Sequence, residues 1–343
     1  MEQYSILIVD GSAVMRRTIT KFFESDARFV VVGIARTGLE AEKKIVSLNP
    51  DIVILNSEIT DFDGFVTLRR LMNNNKLQKA VIVSAENEED AKVLKALEYG
   101  ATTIILKKNI VGDTSIADRK AEFISKIEAI IRNIKKTGTN FKEENEEKEK
   151  NKDRQIELVF IGTSTGGPSA LQAILPRFPK DFPVPIIVDQ HMPLGFTQSL
   201  AARFKSLCQL DVKEAENNEV LQAGIIYIAP SGFQTTLQMV HGNPTLKVWN
   251  HKSSDVLYKP CIDITLTSLA PIYGSHLLAI ILTGMGSDGL EGCKLVKNFR
   301  GHVIIEAEQS CVVYGMPKAI FESGFYDKQV PLSDIYKQIR SYV

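Results

Sequence analysis

The sequence predicts an α/β protein of two domains, each a parallel, doubly wound sheet with flanking helices. Two observations carry that prediction. Apolar, β-branched runs of strand length alternate with stretches of helical period through both halves of the chain, which is how strand–helix–strand units read. Between the halves, 135–155 is almost wholly polar, with Glu and Lys dominating and Phe141 its single bulky apolar residue. Such a stretch cannot bury enough apolar surface to offset its ordering entropy. It reads as a tether or a frayed extension of the preceding helix, interrupted by Gly138, Thr139 and Asn140. A solvated helix laced with Glu–Lys pairs is the alternative. The predicted limits are therefore 1–134, 135–155 and 156–343, and each domain has enough chain for its own core.

Taken in order, the first half offers strands at Ile6–Val9, Val30–Ile34, Ile52–Leu55, Ala80–Val83 and Thr103–Leu106. Helical period lies between them, as in Val14, Met15, Thr18, Ile19 and Phe22, with Ser12 as a cap. Asp10 follows the first strand, Ser84 the fourth, and Lys107 the fifth. Glu58-Ile59-Thr60-Asp61-Phe62-Asp63-Gly64 follows the third and looks like the turn at that place in a response-regulator receiver domain.

These residues resemble a response-regulator receiver domain, which implies a flavodoxin-like, five-stranded parallel sheet. The resemblance also implies an acidic pair after the first strand and a phospho-accepting aspartate after the third, together holding Mg²⁺. Here the pair is Asp10-Gly11, and the acceptor position is Asn56. An amide is neither a competent nucleophile nor an anionic ligand. Two lost acids read as a pseudo-receiver. Asp10, Ser84 and Lys107 then read as strand-end polar residues with structural work.

The second half carries the chemistry. Leu158–Ile161 runs into Gly162-Thr163-Ser164-Thr165-Gly166-Gly167-Pro168. Gly-x-Ser-x-Gly between strand and helix is the nucleophile-elbow pattern, with small neighbours permitting a tight turn that exposes the serine. Proline suits the first turn of the helix that follows. A phosphate-binding loop is the alternative for this segment alone. His191 follows the strand-like Pro185–Val188 and Asp288 follows Leu278–Leu282 through Gly284-Met285-Gly286. Taken singly, the histidine reads as structural and the aspartate as a helix cap. Taken together, Ser164, His191 and Asp288 fall at strand ends of one sheet, where parallel sheets place their sites. That trio performs acyl chemistry without metal or cofactor, and none is expected. The order Ser–His–Asp is not that of the α/β-hydrolases.

The whole chain resembles the CheB-type chemotaxis protein-glutamate methylesterases, receiver plus methylesterase. The stretches that carry the likeness are 162–167, Gln190-His191-Met192-Pro193-Leu194-Gly195-Phe196-Thr197, Val212–Ala215, Tyr227–Pro230, 281–289 and Ser310-Cys311-Val312-Val313-Tyr314-Gly315-Met316-Pro317. The resemblance implies hydrolysis of glutamate γ-methyl esters on the cytoplasmic helices of chemoreceptors, with methanol released and receptor glutamines also deamidated. It puts the catalytic triad on Ser164, His191 and Asp288, and a histidine kinase of the receptor array among the partners. Backbone donors for the oxyanion are sought at Thr165, Gly166 and Met285. In the family an unphosphorylated receiver lowers activity by covering the active-site face; here the cover and tether are kept while the phosphoryl switch reads as lost. A catalytically dispensable adaptor of receptor arrays is the alternative function, and a small-ester hydrolase a third.

Charge and cysteine usage bound the rest. Basic and acidic residues balance at 41 each, so no global field draws the chain to nucleic acid. Apolar runs such as Leu277–Leu282 are too short to cross a bilayer. Cys208, Cys261, Cys293 and Cys311 form no CxxC pair, which disfavours zinc and suits a reducing compartment. With Asp10 reached before any secretory apolar core, a cytoplasmic location is expected.

Overall fold

A computed structural model of the chain describes residues 3–24, 26–59, 64–73, 80–84, 96, 99, 101–112, 115–132, 156–250 and 258–343. The predicted tether, 135–155, and the acidic turn residues Asp61 and Asp63 lie outside the described residues. The chain divides into two compact units, Met1–Lys135 and Lys136–Val343.

The first unit alternates β1 (Tyr4–Val9), α1 (Ala13–Glu24), β2 (Phe29–Ala35), α2 (Gly38–Leu48), β3 (Ile52–Asn56), α3 (Gly64–Asn73), β4 (Ala80–Ser84), β5 (Thr103–Leu106) and α4 (Ile116–Arg132). Its five strands lie in the order β2-β1-β3-β4-β5, every pairing parallel. Ser12 caps α1 as the sequence suggests, its Oγ accepting the Met15 N–H at 3.4 Å. The helical period of α1 buries Met15, Ile19, Phe22 and Phe23 against the sheet.

The second unit opens with β6 (Leu158–Thr163), α5 (Gly167–Ile174), β7 (Ile186–Gln190), α6 (Phe196–Leu207), β8 (Asp211–Glu214) and β9 (Ile225–Ile228). A hairpin follows, β10 (Gln234–Val240) and β11 (Asn243–Trp249), then α7 (Ile262–Tyr273), β12 (Leu277–Ile281), α8 (Leu290–Asn298), β13 (His302–Glu306), α9 (Met316–Ser323), β14 (Lys328–Val330) and α10 (Leu332–Tyr342). The main sheet runs β14-β13-β12-β6-β7-β9-β8 and is parallel throughout. Its central strands β6, β7 and β12 are buried at every position, which is why they read as unbroken apolar runs rather than alternating ones.

The hairpin was not foreseen from the alternation of strands and helices. His241 and Gly242 both take positive φ, 50° and 82°, the geometry of a two-residue turn that matches strand twist. It is tied to α7: the Leu237 N–H donates to Ser268 Oγ at 2.9 Å, and Thr265 Oγ1 donates to Thr235 O at 2.9 Å. Phe160, Ile187, Tyr227, Ile262, Leu266 and Ile281 belong to the core that α7 shares with the sheet. Burying each such side chain contributes about 1.5–3 kcal/mol.

Candidate active site

In the second sheet β6 lies between β7 and β12. The chain builds outward from β6 on one side, then returns to the other side with β12. That reversal opens a crevice at the carboxyl ends of β6 and β12. Ser164 directly follows β6, His191 directly follows β7, and Asp288 lies in the loop after β12.

Several bonds draw the serine and the histidine together. The His191 N–H donates to Thr163 O at 3.1 Å. The Gln190 amide Nε2 donates to both Ser164 O and His191 O, each at 2.9 Å. The turn after Ser164 is tight because Gly166 takes φ 84°, and a Cβ there would meet Val312 at 2.5 Å. The loop carrying Met285 approaches the nucleophile just as closely. A Cβ on Gly284 would stand 2.9 Å from Ser164 Cβ, so only glycine admits that contact.

Asp288 is the most heavily bonded group of the three. Its Oδ2 is 2.8 Å from His191 Nε2 and accepts the Ile262 N–H at 2.8 Å. Its Oδ1 accepts the Asp263 N–H at 3.0 Å and the Cys261 thiol at 3.2 Å. The aspartate does not cap α8, which follows it; it seats the first turn of α7 instead. Burial pushes its pKa up, but the His191 bond and the α7 N–H groups outweigh this and hold the carboxyl below its ordinary value. An ionised carboxylate accepts only, so Nε2 of His191 carries the proton. Nδ1 is then the basic nitrogen; it is buried and has no hydrogen-bond partner. No hydrogen bond joins it to Ser164 Oγ in this structure.

Neighbouring acids are displaced from their usual titration. Asp263, in the first turn of α7, is raised to about 6 by burial and by the charge of Asp288, against the Gly292 N–H that its Oδ1 accepts at 2.7 Å. Asp189 on β7 is fully buried, which raises its pKa well above the ordinary range. The Cys261 thiol is pushed up to about 12, first by burial and then by Asp288. It therefore acts as a hydrogen-bond donor.

The oxyanion candidates lie in the loops that follow β6 and β12. Ser164 N–H is taken by Thr283 O at 3.0 Å, but the N–H groups of Thr165, Gly166 and Met285 find no acceptor among the described residues. Thr283 ties the loops together. Its O also accepts Thr163 Oγ1, its Oγ1 donates to Thr165 O and accepts the Val313 N–H, and its own N–H donates to buried Glu306 Oε2 at 2.8 Å. Sequence reasoning missed Gln190, Thr283, Glu306, Cys261 and Tyr258. Tyr258 stacks flat on the His191 ring, centroids 4.2 Å apart and planes 5° from parallel.

The profile of the CheB methylesterase family matches residues 159–339, more than half of the chain. The chain belongs to the CheB methylesterase family. The response regulator receiver domain matches residues 6–113. A protein-glutamate methylesterase/protein-glutamine glutaminase of Halalkalibacterium halodurans is 39% identical over 338 residues, 97% of this chain and 96% of that protein. The enzyme of the same description from Thermotoga maritima is 37% identical over 97% of both chains. The crystal structure of the Thermotoga maritima CheB methylesterase catalytic domain is 43% identical, with TM-score 0.53, and covers 55% of this chain and all of that one. Among the described residues no helix is long and apolar enough to cross a membrane.

The receiver positions of this family member sit at the switch point of the first sheet, between β1 and β3. Asp10 is buried, with Oδ1 accepting the Ser12 N–H at 2.7 Å. Arg16 closes the loop by donating to Asp10 O and Gly11 O at 2.7 and 2.9 Å. Asn56 ends β3, buried, its Oδ1 accepting the Glu58 N–H at 3.0 Å. Lys107 is ion-paired with Glu58. Ser84 ends β4. Of positions 10, 11 and 56, Asp10 alone carries an acid. Among the described residues no cluster of three His, Cys, Asp or Glu could hold a metal.

Proposed function

We propose that the chain hydrolyses glutamate γ-methyl esters on the cytoplasmic helices of chemotaxis receptors, releasing methanol, and deamidates glutamines at such sites. The observation that carries the reading is the buried His191–Asp288 pair, whose free nitrogen Nδ1 lacks a partner while Gln190 bridges His191 to Ser164. Ser164 Oγ attacks the ester carbonyl and gives its proton to Nδ1. Asp288 stabilises the imidazolium. The oxyanion is held by N–H groups drawn from Thr165, Gly166 and Met285, each worth about 2.7–4 kcal/mol to the transition state. The carbonyl re-forms, the C–OCH₃ bond breaks, and Nδ1 returns its proton to the leaving methoxide. Water, deprotonated by Nδ1, then cleaves the acyl-enzyme to free glutamate and Ser164. With glutamine the leaving group is ammonia.

The proposed division is a receiver at 1–134, a linker at 135–155 and the esterase at 156–343. The proposed location is the cytoplasm, where the receptor helices and a histidine kinase of the array are partners. The receiver is proposed to be degenerate. Asn56 offers no carboxylate to phosphorylate, and Gly11 contributes no ligand to Mg²⁺. The internal pairing of Lys107 with Glu58 supports that reading.

The test is methanol release from methylated receptor membranes by the wild-type chain and by Ser164→Ala. Loss of at least about 10³-fold in the variant is expected. Turnover unchanged in the variant would remove Ser164 as the nucleophile, and release by neither protein would leave the adaptor reading.

A further inference from the structure

We infer that Tyr258 is a positioning residue of this esterase, locking the plane of the His191 imidazole so that Nδ1 stays aimed at the nucleophile; the inference rests on the triad proposed above. Asp288 grips the ring at one atom, Nε2. A single hydrogen bond leaves the imidazole free to turn about the axis through that atom, and a turn moves Nδ1. The Tyr258 ring lies against one whole face of the imidazole, 4.2 Å between centroids and 5° from parallel. That contact blocks the turn.

The backbone that carries the ring is itself anchored. Gln234, fully buried, donates from Nε2 to Tyr258 O and accepts the Cys261 N–H on Oε1, both at 2.8 Å. Lys259 O accepts the Gly232 N–H at 2.9 Å. Three residues further on, the Cys261 thiol and the N–H groups of Ile262 and Asp263 bind Asp288. One run of six residues, 258–263, thus carries the plate for the base and three donors for the acid. Base and acid are referenced to the same support. The far end of the ring reaches the loop that presents Met285: a Cβ on Gly286 would lie 3.5 Å from the Tyr258 hydroxyl.

The stack favours the reacting state over the resting one. Between two neutral rings a parallel stack carries no net charge for the aromatic face to attract. An imidazolium over an aromatic face is attracted by the ring's negative quadrupole. Taking the serine proton makes the neutral imidazole an imidazolium, so the contact strengthens along the proposed step, and such an effect appears in kcat.

Tyr258→Leu and Tyr258→Phe are compared with the wild-type full chain for methanol release from methylated receptor membranes, with thermal melting to confirm folding. The leucine variant is expected to lose about tenfold in kcat with KM within about twofold. Phenylalanine keeps the aromatic face and is expected to restore kcat to within about threefold. Proton NMR of the His191 ring gives a reading independent of turnover: loss of the shielding face moves those resonances downfield in the leucine variant and not in the phenylalanine one. A leucine variant with wild-type kcat, or a phenylalanine variant as slow as leucine, overturns the inference. Wild-type chain no faster than Ser164→Ala would instead overturn the esterase reading itself.

Discussion

At the carboxyl edge of the second sheet four donors converge on one carboxylate, Asp288, and hold it ionised beside a histidine. At the same edge of the first sheet the polar side chains close on one another. Lys107 is neutralised by Glu58, the Asn56 amide turns back onto the Glu58 N–H, and Asp10 accepts from Ser12. Both sheets are parallel and both clusters sit at a switch point, so the fold alone does not decide which one can react. Each cluster leaves a buried atom without a hydrogen-bond partner, His191 Nδ1 in the second sheet and Asp10 Oδ2 in the first, so the difference lies in the groups that stand beside it. The receiver edge presents a paired lysine and a neutral amide where phosphoryl chemistry needs a free cation and an acid.

The largest effect that tests this contrast is at Asp288. In Asp288→Asn the side chain keeps its shape but loses the charge that fixes the His191 tautomer. A fall in kcat of roughly 10³–10⁴ is expected, with circular dichroism confirming that α7 still forms over its altered partner. Retention of more than about a tenth of wild-type kcat would reduce Asp288 to a support for the end of α7.

The receiver edge is tested by restoring what it lacks. Acetyl phosphate with Mg²⁺ is expected to leave the wild-type chain unlabelled. Asn56→Asp alone is expected to gain little, because the second acid at position 11 is still missing. Asn56→Asp with Gly11→Asp is expected to take up acid-labile phosphate. Stoichiometric phosphate on the wild-type chain, with deamidation of Asn56 excluded by mass spectrometry, would remove the degenerate-receiver reading and with it the contrast between the two edges.

Much of this was legible in the sequence, and the reason is local. The strands read from apolar runs agree within two residues at either end with β1 to β7 and β12, since buried parallel strands have an unmistakable composition. Ser164, His191 and Asp288 were legible because each ends such a run at a glycine- or proline-marked turn. The supports of the site were not legible. The Ile262 and Asp263 N–H groups that hold Asp288 belong to the backbone and carry no signature. Tyr258 meets His191 only in the folded chain, where Gln234 of the β10–β11 hairpin donates to its backbone carbonyl. Lys107 was read correctly as a strand-end residue, but its capture by Glu58 depends on where two loops meet.

Glu306 separates the two edges by a smaller effect. It closes β13 as the one acid in His302–Glu306, fully buried, and its Oε2 accepts the Thr283 N–H at 2.8 Å. Burial raises its pKa from 4.5 to about 7, against that bond and against hydrogen bonds from the Ser310 and Cys311 side chains. The sign follows from proton counting. Between about 4.5 and about 7 the folded chain keeps a proton on Glu306 that the unfolded chain has released. Stability from this group is therefore full at low pH and is lost as pH rises through about 7. Glu306→Gln keeps an acceptor for Thr283 and cannot ionise. The wild type is expected to lose on the order of 2 kcal/mol more than the variant between about pH 5 and pH 8. Parallel thermal unfolding of both proteins isolates the effect, because every other titrating group cancels in the difference. Identical pH slopes would mean that Glu306 is ionised throughout and that Thr283, with the loops it joins, is anchored by a fixed charge. No corresponding slope is expected from Asn56→Gln at the receiver edge, where an amide replaces an amide and no proton is exchanged.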